Sequence, residues 1–452
     1  MRISVFGAGY VGLVSATCLA WVGHTVICVD VDRKRIDELN TGRAPFFEEG
    51  LGEMMAECLA AGSLRFTTSH AHAVKSSAVH VIAVGTPPKM DGSADVSQVL
   101  AVAEAIGQHL EKFSTVVVKS TVPVGTLDQV RSAVADGIAS RDELVDFAVA
   151  SNPEFLREGR AVRDFMEPDR VIVGASDKRA LEMLDKMYAP VVRSSAQILH
   201  MAPRSAELAK YACNSMLAVR ISFMNEMSAL ADAYGADILE VKRAMGGDPR
   251  IGSQFLNAGI GFGGSCFPKD LRAAINLADK ACIDADILKS AVVVNDRQQH
   301  FVVDELERQL NDLRGRTIVL WGLAFKPETD DYRDAPSLTI IRRLLSAGAH
   351  VVAHDPLVRW LPMFSSAPLD RFRIVEDPLE GLHNADALVL VTEWEQYADF
   401  NLEHVTSAMK IPLVIDGRNL WATQQPARSY VYVGIGRGVA RRSEPGFVSV
   451  AG

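Results

Sequence analysis

The chain has no excess of positive charge and no long hydrophobic run. Its 47 Lys and Arg against 56 Asp and Glu leave a formal net charge of −9. That balance gives no electrostatic reason to expect a nucleic-acid partner. No apolar stretch reaches the ~18 residues that suggest a membrane-spanning helix, so no membrane partner is expected either. Cysteine is sparse, at Cys18, Cys28, Cys58, Cys213, Cys266 and Cys282, and none forms a C-x-x-C pair. A structural zinc site is therefore not expected, nor any other metal. Met1-Arg2 followed by apolar residues to Val22 imitates a signal peptide. Three glycines at fixed spacing and a following strand ending in Asp30 fit a nucleotide-binding fold better. Reduced thiols and a cytoplasmic location are the expectation.

What is present is a long chain, 48% hydrophobic and 23% charged over 452 residues. At roughly one domain per ~150 residues, this implies two or three globular domains. Strands are expected at Ile3–Phe6, Thr25–Val29, Val79–Val84, Thr115–Lys119, Phe147–Ala150 and Arg170–Gly174, with helical patterns between most of them. Such alternation predicts a mainly parallel sheet covered by helices. From about Ser205 to Tyr234 runs one long helical pattern without Pro or Gly. Further helix is expected at Ile238–Met245, at Lys269–Lys280 and from Ile287. This middle region is more apolar than a solvent-exposed spacer should be, so part of it is expected to pack on a second subunit.

Alternation resumes with Thr317–Trp321, Val351–His354, Ala387–Val391 and Leu413–Ile415. Gly322 follows the first of these strands and Asp355 the second, as Gly7 and Asp30 do near the N-terminus. The fold class is therefore α/β, with two Rossmann-like, doubly wound domains joined by a central helical connector. The expected divisions are 1–202, 203–300 and 312–436, with 437–452 as a flexible tail.

Gly7-Ala-Gly9-Tyr10-Val11-Gly12 follows a strand and opens a helix. The first glycine allows the tight turn, the second lets backbone approach a pyrophosphate, and the third lets helix and strand pack closely. The helix N-terminus offers free N–H groups to phosphates. Asp30 ends the next strand, where a carboxylate accepts both adenosine ribose hydroxyls and repels a 2′-phosphate. That favours NAD over NADP, with Arg33, Lys34 and Arg35 as the contrary signal.

Polar, turn-forming segments follow three strands: Val84-Gly-Thr86-Pro-Pro88, Ser120-Thr121-Val-Pro-Val-Gly125-Thr126 and Asn152-Pro-Glu154-Phe-Leu-Arg157-Glu158-Gly159. Ligands of open α/β sheets bind beyond the carboxyl ends of the strands, so three such loops on one rim mark a site. Lys210 and Asn214 share one helix face; Asn225 and Glu226 read as packing or subunit-contact residues.

Gly259-Ile-Gly261-Phe-Gly263-Gly264-Ser-Cys266-Phe-Pro-Lys269-Asp270 is the most unusual stretch. Its glycines would let backbone approach a ligand closely, and a helix start with a nearby lysine favours thiolate at Cys266. The other five cysteines read as core packing. NAD together with a nucleophilic cysteine points to aldehyde oxidation through a thioester that water then cleaves.

In combination these segments resemble the nucleotide-sugar 6-dehydrogenases, from Met1 to about Asn419, and most closely the branch that converts UDP-glucose to UDP-glucuronate with two NAD. The motifs are GAGYVG, GTPP, STVPVGT, NPEFLREG, the Lys210/Asn214 helix, GFGGSCFPKD, and Gly322 to Pro336 with Lys326 and Arg333. The resemblance implies a covalent adduct on Cys266. It implies that Thr121, Glu154 and Asp270 handle protons and the hydrolytic water, and that Lys210 and Asn214 stabilise an oxyanion. It implies UDP-glucose contacts from Glu154, Phe155, Leu156, Arg157, Lys210, Asn214, Arg250, Phe255, Leu256, Asn257, Ala258, Gly259, Gly263 and Lys326. It implies NAD contacts from Gly7, Gly9, Tyr10, Val11, Gly12, Asp30, Arg35, Thr86, Thr121, Glu158, Lys269 and Arg333, and a homo-oligomer through the central helices.

Two departures stand out. Phe46-Phe47-Glu48-Glu49-Gly50 replaces a His-Glu-Pro-Gly segment common in the family and is expected to lie outside the chemistry. Cys213 replaces a small residue beside Asn214. GDP-mannose and a UDP-N-acetylhexosamine remain alternative substrates. A nucleotide-sugar epimerase or dehydratase would need a Tyr-x-x-x-Lys pair, and no tyrosine here has a lysine four residues later. A non-catalytic NAD-binding protein would not need the Cys266 loop.

Overall fold

A computed structural model describes residues 1–194, 197–366, 371–424 and 429–438. They form two compact units: Met1–Cys213 with Arg272–Asp284, and Asn214–Leu271 with the described residues from Ala285 onward. The long central helix Pro203–Tyr234 runs from one into the other.

The first unit is built on an eight-stranded sheet. Its strands are β1 (Arg2–Phe6), β2 (Thr25–Val29), β3 (Leu64–Thr67), β4 (Val79–Ile82), β5 (Ser114–Val118), β6 (Phe147–Ser151), β7 (Val171–Gly174) and β8 (Ile198–Met201). The order is β3-β2-β1-β4-β5-β6-β7-β8, parallel except where β7 meets β6. The order reverses beside β1, which makes the switch point where such sheets bind nucleotides. The central strands are buried on both faces, as helix-covered parallel strands must be. Val117 packs into one apolar cluster and its neighbours Val116 and Val118 into another, because alternate side chains leave opposite faces.

The second unit repeats the plan with six strands: β9 (Thr317–Trp321), β10 (His350–His354), β11 (Phe372–Val375), β12 (Ala387–Leu390), β13 (Leu413–Asp416) and β14 (Val431–Gly434). The order β11-β10-β9-β12-β13-β14 is parallel throughout. Trp321 anchors its core, stacking on Tyr397 with ring centroids 5.0 Å apart and meeting Trp421 edge-on.

The strands that composition did not reveal are β3, β8, β11 and β14. Each has four residues and forms an edge of its sheet. Burial there is interrupted by exposed positions, so the apolar signal is too weak to read. Within the expected tail, residues 439–452 lie outside the described residues. Arg437 and Gly438 are held: Arg437 pairs with Asp237 at 3.4 Å, and the Gly438 amide donates to Asp232 at 3.3 Å.

Candidate active site

The first turn is built as the glycine spacing requires. Gly7 has φ 101°, and a Cβ there would lie 2.7 Å from the Ala83 carbonyl oxygen. A Cβ on Gly12 would sit 1.8 Å from the Gly7 oxygen, so helix Tyr10–Trp21 packs on the turn only without a side chain. Gly9, by contrast, has nothing within 4 Å of its Cβ position, and no side chain caps the helix it begins. Open space and uncapped N–H groups at a helix start suit a pyrophosphate. Asp30 lies beside them, accepting from the Ala8 amide at 2.7 Å, with Arg35 at 3.3 Å.

The loops after β4 and β5 are tied together, since Thr86 donates its hydroxyl to the Thr121 carbonyl at 2.9 Å. Glu207, on the long helix, receives the Gly125 and Leu127 amides at 2.7 and 2.8 Å, fixing the end of the Thr121 loop at the start of helix Thr126–Ala139. Burial raises the Glu207 carboxyl above its ordinary range.

Beyond β6, Lys210 approaches Glu154 twice: 3.1 Å to the carboxylate and 2.6 Å to the backbone carbonyl, with both side chains buried. Its ammonium lies 5.1 Å from the Phe155 ring centre. The guanidinium of Arg170, a residue sequence reasoning did not single out, lies 4.2 Å from the same ring. Arg170 also donates to the Cys213 sulfur at 3.5 Å. Arg157 forms a three-bond pair with Asp164. Glu48, expected outside the chemistry, is drawn into this loop. It is 7% exposed, accepts from the Tyr10 hydroxyl, and receives the Gly159 and Val162 amides at 2.7 and 3.3 Å.

In the second unit, Asp270 is 1% exposed and receives the Asn214 amide at 2.6 Å and the Lys269 ammonium at 2.5 Å. Its own backbone N–H closes the first helical turn on the Cys266 carbonyl at 2.8 Å. Cys266 thus heads the helix Phe267–Lys280 and is exposed. The cysteines expected in the core divide. Cys18, Cys28 and Cys58 are buried, and burial pushes the Cys18 thiol up to about 12. Cys213 is half-buried and Cys282 is exposed. Cys282 follows the end of its helix with φ 55°, a turn position that carries its side chain away from the core.

The glycines before Cys266 meet protein. A Cβ on Gly259 would lie 2.9 Å from the Arg418 guanidinium, one on Gly263 2.1 Å from the Asp334 carbonyl oxygen, and one on Gly264 2.7 Å from the Phe325 ring. Their smallness seats the loop on the turns beyond β9 and β13. Arg418 completes the seat, donating to Val391 and Gly261 carbonyls at 2.9 and 3.2 Å. Arg250 and Arg333 each form an ion pair with a near neighbour in sequence, Asp248 at 2.6 Å and Asp331 at 2.7 Å. Among the described residues, no group of three or more His, Cys, Asp or Glu gathers as metal ligands, and no helix is long and apolar enough to cross a membrane.

Three family models match the chain in order: the UDP-glucose/GDP-mannose dehydrogenase NAD binding domain over residues 1–192, the central domain over 204–297, and the UDP binding domain over 319–423. The chain belongs to the UDP-glucose/GDP-mannose dehydrogenase family. It is 47% identical to a Pseudomonas aeruginosa UDP-glucose 6-dehydrogenase over 97% of this chain and 98% of that protein. The solved UDP-glucose dehydrogenase of Pyrobaculum islandicum superposes with a TM-score of 0.87 at 41% identity, covering 96% of this chain and 97% of that one. A UDP-D-ManNAc dehydrogenase from Pyrococcus horikoshii follows at 0.85 and 28%, covering 97% and 100%. Membership assigns the first sheet to NAD and the second to a UDP-bearing ligand. The open turn at Gly9 and the carboxylate of Asp30 fit the former.

Proposed function

We propose that the chain oxidises the C6 hydroxyl of UDP-glucose twice, to UDP-glucuronate, with Cys266 as nucleophile. The observation that carries this reading is an exposed cysteine at a helix head whose first turn holds a buried Asp270, tied to Asn214 and Lys269. The support for UDP-glucose is the 47% identity to an enzyme of that name over almost the whole chain.

Bound NAD supplies the hydride acceptor for each oxidation. Thr121 and Glu154 are assigned to the protons, with Lys210 and Asn214 as donors to the developing oxyanion. The Cys266 thiolate adds to the C6 aldehyde, forming a C–S bond. Oxidation of that adduct leaves a thioester. Water attacks it, Asp270 and Glu154 taking the proton, and the carboxylate departs as the C–S bond breaks and the thiol returns. Tyr10, Val11, Arg35, Thr86, Glu158, Lys269 and Arg333 are assigned to NAD. Phe155 to Arg157, Arg250, Phe255 to Gly259, Gly263 and Lys326 are assigned to the sugar nucleotide.

On this reading, residues 1–202 bind the cofactor, 312–436 bind the nucleotide, and 203–300 join two copies of the chain. Met216, Phe223 and Leu230 are exposed at seven-residue intervals along the long helix, and Ile287 and Val293 on helix Asp286–Gln298. An apolar stripe of that spacing suits a second helix, so a homo-oligomer in the cytoplasm is proposed. A substrate panel tests the chemistry. UDP-glucose should exceed GDP-mannose and UDP-N-acetylmannosamine in kcat/KM, and a higher value for either rival would overturn the substrate assignment.

A further inference from the structure

The segment Gly259–Cys266 has no helix or strand to satisfy its backbone, yet it is buried through Gly264. Such groups need partners. Side-chain amides supply them. Asn295 pairs with both sides of Phe262: its Oδ1 accepts the N–H at 2.7 Å and its Nδ2 donates to the carbonyl at 3.1 Å. Gln298, one turn along helix Asp286–Gln298, donates to the Gly259 carbonyl at 2.8 Å. Asn225 accepts the Gly259 N–H at 2.8 Å. Both backbone groups of two loop residues are thus held by three buried amides. On its other side the loop lies against Phe325, Asp334 and Arg418.

We infer that Asn295 and Gln298 are positioning residues for the reaction, acting through the backbone of Phe262 and Gly259 to set the place of Cys266. The inference rests on the reading of Cys266 as nucleophile. The carboxamide offers Phe262 an acceptor and a donor in one plane, which a carboxylate cannot. An aspartate at 295 would keep the acceptor and turn an oxygen toward the Phe262 carbonyl. Gly261, with φ 94°, stands beside the amide, and its Cβ position lies 3.0 Å from Asn295 Oδ1, so the loop has little room to settle elsewhere. A nucleophile displaced by about 1 Å loses on the order of 10²-fold in rate.

The test is Asn295→Asp in the full chain. It is read by steady-state kinetics and by the rate at which iodoacetamide alkylates Cys266, followed by mapping that peptide so that Cys213 and Cys282 do not interfere. The expected result is a kcat lower by roughly 10- to 100-fold, a several-fold change in Cys266 alkylation, a raised KM for UDP-glucose, and a KM for NAD within twofold of the parent. A folded Asn295→Asp protein with kcat and alkylation within twofold of the parent overturns the inference, and so does a loss of kcat with Cys266 alkylation unchanged. Should that variant fail to fold, Gln298→Ala, which removes one donor to Gly259, is measured in the same way, and the same results support or overturn the inference. The alkylation rate needs no turnover. A parent protein that leaves UDP-glucose untouched would therefore sink the functional reading while still deciding whether the amides set the thiol.

Discussion

The two sheets share one plan and differ in what their acidic residue does. In each, a glycine with a φ near 100° follows the first strand, Gly7 and Gly322, and its N–H donates to the end of the next strand, to Val29 at 2.7 Å and His354 at 2.8 Å. Asp30 and Asp355 occupy equivalent places one residue on. Asp30 stands beside the open Gly9 turn. Asp355 is fully buried and receives five donors: the amides of Leu323, Ala324, Leu357 and Val358 at 2.7 to 3.0 Å, and the Trp394 indole at 3.2 Å. A carboxylate has about four lone-pair sites, so none remains for a ribose. The first sheet keeps its acid at the rim, whereas the second uses its acid to fold the loop that seats Gly264 and, through it, Cys266.

The largest expected effect lies at that seat. Cys266→Ser should lower turnover on the order of 10³-fold or more, by removing the nucleophile, while NAD binding to the first unit persists in a titration. Near-normal kcat would remove Cys266 from the mechanism. Next comes stability. Asp355→Asn exchanges an acceptor for a donor among five donors and should cost on the order of 3 kcal/mol, seen as a lower denaturation midpoint. Asp30→Asn, with three protein donors against five, should lower the midpoint by less and raise the KM for NAD roughly 10-fold, the equivalent of about 1.4 kcal/mol. Reversal of those two outcomes would contradict the division of roles between Asp30 and Asp355.

The glycines of the first turn divide in the same way. Gly9→Ala, with open space around it, should fold normally and weaken NAD binding several-fold. Gly12→Ala, 1.8 Å from the Gly7 oxygen, should lower yield and melting temperature.

A further effect is one of pH. Burial lowers the His80 pKa to about 3, and lowers that of His354 in the second sheet as well. A folded state that refuses a proton loses stability once the unfolded chain begins to take one. The His80 contribution is complete above about pH 6.5 and falls by about 1.4 kcal/mol per unit as pH drops toward 3. Denaturation midpoints between pH 7 and 5 check this, and His80→Gln should flatten the slope.

Much of this architecture was legible in the chain. β1, β2, β4, β5 and β6 announce themselves as buried apolar runs that end in turn residues, and β9, β10, β12 and β13 do the same. The edge strands did not, because half their positions face outward. The motifs of the family were legible too, in Gly7–Gly12, Asp30, Glu154, Lys210 and the Cys266 loop. What holds them was not. Glu48 is 111 residues from Gly159, and Asn295 is 33 from Phe262. Both act on backbone groups, which leave no mark of residue type on their partners. Glycine leaves a related ambiguity: Gly263 and Gly264 lie close to Asp334 and Phe325, and sequence alone does not tell a protein neighbour from a ligand.

If one cofactor site serves two oxidations of one sugar held through Cys266, the electron count must show it. The most direct measurement is the amount of NADH formed per UDP-glucose consumed, with the product identified. Two NADH and UDP-glucuronate are expected; one NADH with the aldehyde as product would contradict the double oxidation.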